Sequence, residues 1–398
     1  MPNLPPIFTE TTTARLGRPE AEALFAALDT PAPTSIRFNP YKVSEKPEGE
    51  QVPWSRYGFY LDERPVFTAD PLLHGGAYYV QEAGSMFLEA VFTQLFPEPG
   101  RMRVLDLCAA PGGKSTHLSA LAGLETLVVA NETIRPRAQI LSENVRKWGL
   151  GNTVVTNNDP ERFGEAMRGF FDLVVVDAPC SGEGMFRKTP EARREWTPDN
   201  VRLCAARQQR ILSDVWDALR EGGVLIYSTC TFNRSENEDN VRWMTETFGC
   251  EAVHIDTSPA WGVVRGEEAG IETFRFYPHR AKAEGFFLTA LRKAEAVKKP
   301  APLKARRPVL TDLSRSEFEV VRPWIGQADL MHFAKLNGER VFGYYARHRE
   351  SVNGLAEALT VIYSGVEVGQ IIHNKLKPEH ALALFHDVSR GAMPCAEL

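Results

Sequence analysis

The six cysteines of this 398-residue chain are scattered, and no C-x-x-C pair occurs. That excludes a structural zinc site of the paired-cysteine type and argues against a disulfide framework, so a reducing compartment and no metal are expected. No segment approaches the roughly 18 consecutive apolar residues that a membrane-spanning helix requires. The opening "MPNLPPIFTETTTARLG" lacks the basic start and apolar core of a secretory signal. A cytoplasmic protein with no membrane partner is expected. A basic excess is missing too, since the formal net charge is -5. The dinucleotide fingerprint G-x-G-x-x-G is absent. "CAAPGGKST" ends like a phosphate loop, but Cys108 stands where that loop requires its first glycine. Neither a dinucleotide dehydrogenase nor a nucleoside triphosphatase fits.

What is present is a sizeable core, 43% hydrophobic against 24% charged, with a change of rhythm along the chain. Residues 1–98 combine a helix over 20–28 with short extended pieces and many prolines, a small α+β module. From residue 99 to 294 apolar runs alternate with helical patterns. Strands are expected at "RVLDLC", "ETLVVANE", "NTVVTNN", "FDLVVVDAPC", "GVLIYSTC" and "GFFLTALRK", with helices over 114–121, 137–149 and 199–219. That pattern predicts a doubly wound, Rossmann-like α/β core with both faces of a parallel sheet covered. A Pro-, Ala- and Lys-rich linker, 295–310, then leads to a small C-terminal domain, 311–398, with strands "RVFGYYAR", "LTVIYSG" and "VEVGQII" and a closing helix. Two basic runs stand out against the net charge. One carries Arg187, Lys188, Arg193, Arg194, Arg202, Arg207 and Arg210. The other carries Arg292, Lys293, Lys298, Lys299, Lys304, Arg306 and Arg307. Each is either a solvated face or a phosphate contact.

Ligands of open α/β sheets bind beyond the carboxyl ends of the strands. The expected strands end in Asp106, Glu132, Asp159, Asp177 with Cys180, and Cys230, with a Gly-Gly turn after the first. Glu132 follows the turn at the offset where a carboxylate accepts both hydroxyls of a ribose, so an adenosine cofactor is indicated. A sulfonium cofactor has no pyrophosphate and does not need the missing glycine. The cysteines suggest the reaction. C5 of a pyrimidine is too weak a nucleophile to attack a methyl sulfonium until a thiolate adds at C6, and a further group must then help the thiolate leave. Cys180, Cys230 and Asp177 supply the residue types for that chemistry. Cysteines are often simply buried, so neither alone would carry the argument. Cys204, Cys250 and Cys395 have no such setting and are read as structural.

"VLDLCAAPGGKSTHLSA", "VVANE", "VVVDAPCSGEGMFRK", "LIYSTCTF" and "YPHRAKAEGFFLTALRK" together resemble the Sun/Fmu (NSUN-like) RNA cytosine-C5 methyltransferases. "DAPCSGEGMFRK" and "YSGVEVGQIIHNKLKPEHALALF" are most similar to the RsmF-type bacterial ribosomal-RNA enzymes among them. The resemblance implies S-adenosylmethionine as cofactor. It implies that Cys108, Ala109, Ala110, Pro111, Gly112, Gly113 and Lys114 embrace the methionine part and ribose. Glu132 would hold the ribose hydroxyls, with Arg137 nearby, Asp159 the adenine edge, and Asp177 the reaction centre at N3. It assigns Cys230 as nucleophile and Cys180 to product release. The C-terminal domain resembles a PUA-like RNA-binding module, and the N-terminal one the family's own RNA-binding type. Pro136 and Ala283 depart from the usual pattern without touching an implied role. The expected enzyme is a monomer acting on ribosomal RNA, most naturally in the small subunit, through a covalent cysteine–C6 adduct. Transfer RNA or large-subunit RNA is the alternative substrate. A ribosome-assembly factor that binds RNA without turnover is the alternative class, disfavoured by the Cys180–Cys230–Asp177 trio.

Overall fold

The computed structural model describes residues 3–295, 310–336, 338–389 and 391. The expected basic linker, with Lys298, Lys299, Lys304, Arg306 and Arg307, lies outside the described residues, as does Cys395. The chain opens with two helices, Pro6–Leu16 and Arg18–Leu28, and a small antiparallel sheet of β1 (Thr34–Phe38), β2 (Gly58–Leu61) and β3 (Tyr78–Val80), in the order β2-β1-β3. The first helix was not expected, because its threonine-rich sequence has low helix propensity. Tertiary packing overrides that preference. Phe8 is buried edge-on against Phe186 at 5.0 Å and Trp196 at 5.9 Å.

The core follows with β4 (Arg103–Asp106), β5 (Leu127–Asn131), β6 (Thr153–Thr156), β7 (Phe171–Asp177) and β8 (Leu219–Thr229), then β9 (Glu251–Ala252), β10 (Val264–Glu268), β11 (Ile271–Phe276) and β12 (Phe286–Arg292). Strands β8-β7-β4-β5-β6 run parallel in that order, and β12, β11 and β10 extend the sheet antiparallel beyond β8. Both faces are covered. Val104, Val128, Val175 and Ile226 pack with Phe87, Val91 and Leu118, from the helices Phe87–Leu95 and Gly113–Ala122. Leu105, Val129, Val174 and Leu225 pack with Leu141, Ile211, Leu212 and Val241 on the opposite side. Two-sided burial is why these strands read as continuous apolar runs. The chain winds outward from β4 in both directions, so the crevice of the fold opens beyond the ends of β4 and β7.

The C-terminal chain supplies β13 (Leu310–Asp312), β14 (Met331–Leu336), β15 (Arg340–Tyr345), β16 (Val361–Ser364), β17 (Val366–Ile372) and β18 (Lys375–Pro378). Five of these form an antiparallel sheet, β13-β14-β15-β17-β18. The sixth does not. "LTVIYSG" was expected within the small domain, but β16 pairs antiparallel with β6 and closes the edge of the central sheet, Val361 opposite Thr156 and Ser364 opposite Val154. An uncovered edge presents unpaired N–H and C=O groups, which β16 satisfies. Gly365 then redirects the chain into β17 at φ 63°, where a Cβ would meet the carbonyl oxygen of Gly343 at 2.0 Å.

The basic runs are corrected in part. Arg193 is buried, donating to the carbonyls of Phe186 (2.8 Å) and Leu28 (2.7 Å) and pairing with Asp29 at 2.9 Å. Arg187 donates to the carbonyls of Thr30 and Pro31, and Lys293 is buried against the carbonyl of Trp216 at 2.8 Å. These three cations hold elements together; Arg194, Arg202, Arg207 and Arg210 remain exposed. Arg193→Ala strands two buried carbonyls and is expected to cost about 2–4 kcal/mol of unfolding free energy, read by denaturant titration. A variant as stable as the parent would return Arg193 to the set of surface contacts.

Candidate active site

Strand β4 delivers Asp106 to the crevice, and the chain then turns through 107–112 into the helix Gly113–Ala122. Gly112 makes that turn at φ 114°, where a Cβ would crowd Leu141 at 3.2 Å. The helix Arg135–Trp148 pins the loop: Arg137 donates to the carbonyl of Ala110 (2.9 Å) and Asn144 to that of Pro111 (2.8 Å). From the N-terminal module the buried Arg37 donates to Thr116 Oγ1 (2.7 Å) and the carbonyl of Gly113 (3.1 Å). Glu132, at the end of β5, accepts the backbone N–H of Ile134 at 2.9 Å and lies 3.3 Å from Arg137. Asp159 is exposed at the start of the helix Pro160–Ala166.

Two cavities meet at Cys108. The larger, about 850 Å³, is lined by Glu132, Ile134, Arg137, Asp159, Arg207 and Arg210 among others. The smaller, about 180 Å³, runs past Ala109, Ala110, Pro111, Gly113, Lys114, Asp106 and Asp177. One oxygen of Asp106 accepts Ser115 Oγ at 2.6 Å; the other, Oδ1, is buried without a partner. Burial pushes the Asp106 carboxyl up to about 7, although Ser115 and Lys114 pull the other way. Burial likewise pushes the Cys108 thiol upward. An orphaned buried acceptor calls for a donor from a ligand. A long ligand with a hydroxylated ribose at one end and an ammonium at the other fits this donor and acceptor set.

Asp177 closes the far side of the crevice. Lys114 Nζ lies 2.7 Å from one of its oxygens, and Ser228 Oγ donates to the other at 2.7 Å. Burial alone would lower the Lys114 pKa, but Asp177 outweighs it and the ammonium is held charged. Because β7 and β8 are parallel neighbours, with Asp177 opposite Ser228, the loops that follow them run side by side. They bring Cys180 Sγ and Cys230 Sγ to 3.2 Å. The hydrogen bond with Cys230, then burial, push the Cys180 thiol well above its ordinary value. Cys204 and Cys250 stand apart from this pair; their nearest polar partners are Asn200 and the carbonyl of Met244. Among the described residues no cluster of His, Cys, Asp or Glu could hold a metal, and no helix is long and apolar enough to cross a membrane.

Two residues that hold the cysteine loops were missed. Glu183 accepts the backbone N–H groups of Phe232 (2.8 Å) and Asn233 (2.7 Å), and Glu236 accepts that of Ser181 (3.0 Å). Both are almost fully buried. Each therefore belongs to one cysteine loop and grips the other. Gly184 fits between them: its N–H donates to the Cys230 carbonyl at 2.9 Å, and a Cβ there would meet that oxygen at 2.8 Å. The sequence signal was an acid in each cysteine motif, "CSGEG" and "CTFNRSE".

A parallel sheet in this order with an antiparallel strand beyond β8 is the Rossmann-like methyltransferase fold. The comparisons agree. Residues 92–292 match the family described as 16S rRNA methyltransferase RsmB/F, and residues 4–83 match the N-terminal domain of 16S rRNA methyltransferase RsmF. The chain belongs to the 16S rRNA methyltransferase RsmB/F family, of RsmF type. Similar curated proteins include ribosomal RNA small subunit methyltransferase F of Pectobacterium atrosepticum, 36% identical over 69% of this chain and 60% of the relative. That of Escherichia coli is 37% identical over 70% of this chain and 60% of the relative. The chain thus spans about three fifths of the length of these relatives. A methyltransferase homologue from Pyrococcus horikoshii superposes with a TM-score of 0.57 at 28% identity, covering 73% of this chain and all of that one. NSun6 from the same organism shares the fold, with a TM-score of 0.61 at 20% identity over 73% of this chain and 98% of that one.

Asp106 provides a pH test. With its folded value near 7 and its unfolded value near 4, the folded state holds a proton that the unfolded chain releases between those limits. Stability from this group is therefore present at low pH and lost as pH rises through that window. Asp106→Asn is expected to be more stable than the parent at pH 8, by at most about 4 kcal/mol, with the gain vanishing near pH 4. The same variant should bind S-adenosylhomocysteine more weakly by calorimetry. A gain independent of pH would show that Asp106 is not the titrating group.

Proposed function

We propose that this protein methylates C5 of a cytosine in small-subunit ribosomal RNA, through a covalent adduct between Cys230 and C6. The observation that carries this reading is the 3.2 Å contact of Cys180 and Cys230 beside the Lys114–Asp177 pair. A methyl transfer to an already nucleophilic atom would not need two sulfurs there. The substrate assignment is supported by the family membership and by the names of the curated relatives.

In this reading Asp106, the 108–114 loop, Glu132, Arg137 and Asp159 hold S-adenosylmethionine, which supplies an electrophilic methyl group at the crevice. The target base must leave its stack to reach the cysteines. The Cys230 thiolate adds to C6, and Asp177, bonded to the Lys114 ammonium, relays a proton to N3 as charge builds on the ring. C5 is then electron-rich enough to be methylated. On release a water molecule in the crevice takes the C5 proton, the C5–H electron pair restores the C5–C6 double bond, the C6–Sγ pair leaves on the Cys230 sulfur, and N3 returns its proton to Asp177. Cys180, which keeps its proton at hydrogen-bond distance, donates to that sulfur as it leaves. The 1–98 module, the 311–398 PUA-like domain and the 295–310 linker flank the 99–294 core and choose the RNA. Exposed Arg194, Arg202, Arg207 and Arg210 meet its phosphates. The enzyme works as a cytoplasmic monomer.

The two cysteines separate the roles. Cys230→Ala is expected to abolish transfer of labelled methyl groups into isolated small subunits and to form no adduct. Cys180→Ala should accumulate a methylated protein–RNA adduct that survives a denaturing gel. An adduct in Cys230→Ala and none in Cys180→Ala would exchange the roles, and methylation untouched by either would end the covalent reading.

A further inference from the structure

We infer that Glu236 is a positioning residue that keeps the proton of the cysteine pair on Cys180 and leaves Cys230 free to ionise; this rests on the proposed covalent reaction. Two sulfurs 3.2 Å apart in one crevice present a choice of which ionises, and their contact alone is symmetric. The surroundings are not. Glu236 is wholly buried and grips the backbone just after Cys180 directly and just before it through Gln208. Its carboxylate accepts the N–H of Ser181 at 3.0 Å and the Ser181 hydroxyl. It also accepts Gln208 Nε2 at 2.8 Å, and the same nitrogen reaches the Pro179 carbonyl at 3.0 Å. Asn233 Nδ2, from the Cys230 loop, completes the set at 2.7 Å.

Four donors converge on two oxygens, an arrangement that suits a carboxylate and not a carboxylic acid, although burial pushes Glu236 upward. A fixed negative charge beside Cys180 opposes a second one on its sulfur; it adds to the raised Cys180 pKa after the hydrogen bond with Cys230, burial and the charge of Cys230, while the Cys230 backbone N–H acts the other way. The other groups facing the pair are Tyr227, Cys204 on the helix Pro198–Trp216, and Asp177 with Lys114. Of these only Lys114 is cationic, and its interaction is with Cys230. Negative charge on the Cys180 side and positive charge on the Cys230 side favour the same outcome: the proton of the pair stays on Cys180. Glu183 grips the Cys230 loop in the same mechanical way, through the N–H groups of Phe232 and Asn233, and serves as the mechanical control for Glu236.

The test is the order in which the protein's cysteines react with iodoacetamide from about pH 6 to about pH 9, followed by peptide mass spectrometry. In the parent protein Cys230 should react before Cys180. Glu236→Gln, shown folded by its melting temperature and by S-adenosylhomocysteine binding, should speed Cys180 about tenfold, equivalent to about one pH unit in its midpoint. Glu183→Gln should retain the parental order even if it melts earlier. Cys180 reacting first in the parent overturns the inference, as does an unchanged ratio in folded Glu236→Gln or the same acceleration in Glu183→Gln. Should Glu236→Gln not fold, Glu236→Asp, which keeps the charge, must preserve the parental order; a reversal there overturns it equally. Neither RNA nor methyl donor enters this measurement, so its failure and that of the adduct experiment are separately visible.

Discussion

The ion pair between Lys114 and Asp177, 2.7 Å across the switch point of the sheet, is the contact on which the crevice depends. Lys114 comes from the helix after β4 and Asp177 from the tip of β7, so one bond joins the glycine turn to the cysteine-bearing half of the core. The Lys114 side chain is only 12% exposed and Asp177 36%. Such a pair adds little net stability, because desolvation offsets much of the attraction, yet removing either partner leaves the other charge stranded. Its value is in placement. It sets a cation beside Cys230 and a carboxylate already oriented by Ser228.

Around that pair the protein builds rigidity from buried polar groups instead of from apolar packing. Glu183 and Glu236 each reach across from one cysteine loop to the backbone of the other, and Asn237 accepts Thr229 Oγ1 at 2.6 Å while donating to the Thr231 carbonyl. Buried polar networks are costly when half satisfied and stiff when complete. Here the carboxylates meet backbone N–H groups that loops cannot pair in a ladder. Aromatic packing supports them from outside. Phe232 stacks on Tyr277 at 5.6 Å and belongs to the cluster through which Phe8 and Trp196 tie the N-terminal helices to the same loops.

The contrast between sequence and structure follows the range of the interactions involved. Asp106, Glu132, Asp177, Cys180 and Cys230 were legible as one group because parallel strands carry the residues after them to a common edge, whatever the details of packing. The helix Pro6–Leu16 was not legible, since its threonines disfavour it locally and the reward comes from distant partners such as Phe186, Trp196 and Phe232. Arg193 looked like a surface charge because nothing nearby in the chain announces the carbonyl of Leu28. The strand Val361–Ser364 carried a clear strand pattern, but pattern does not say which sheet it joins.

By itself the sequence determined the alternation of strands and helices, the glycine turn after β4 and the residue types at the strand ends. All of these follow from short-range periodicity and backbone sterics. The tertiary structure alone decided that two sulfurs fifty residues apart lie 3.2 Å from each other and that two buried glutamates hold them there. It also decided that β16 closes the central sheet instead of its own. Those outcomes depend on which distant backbone groups remain unpaired once the chain is folded, and no local pattern encodes that.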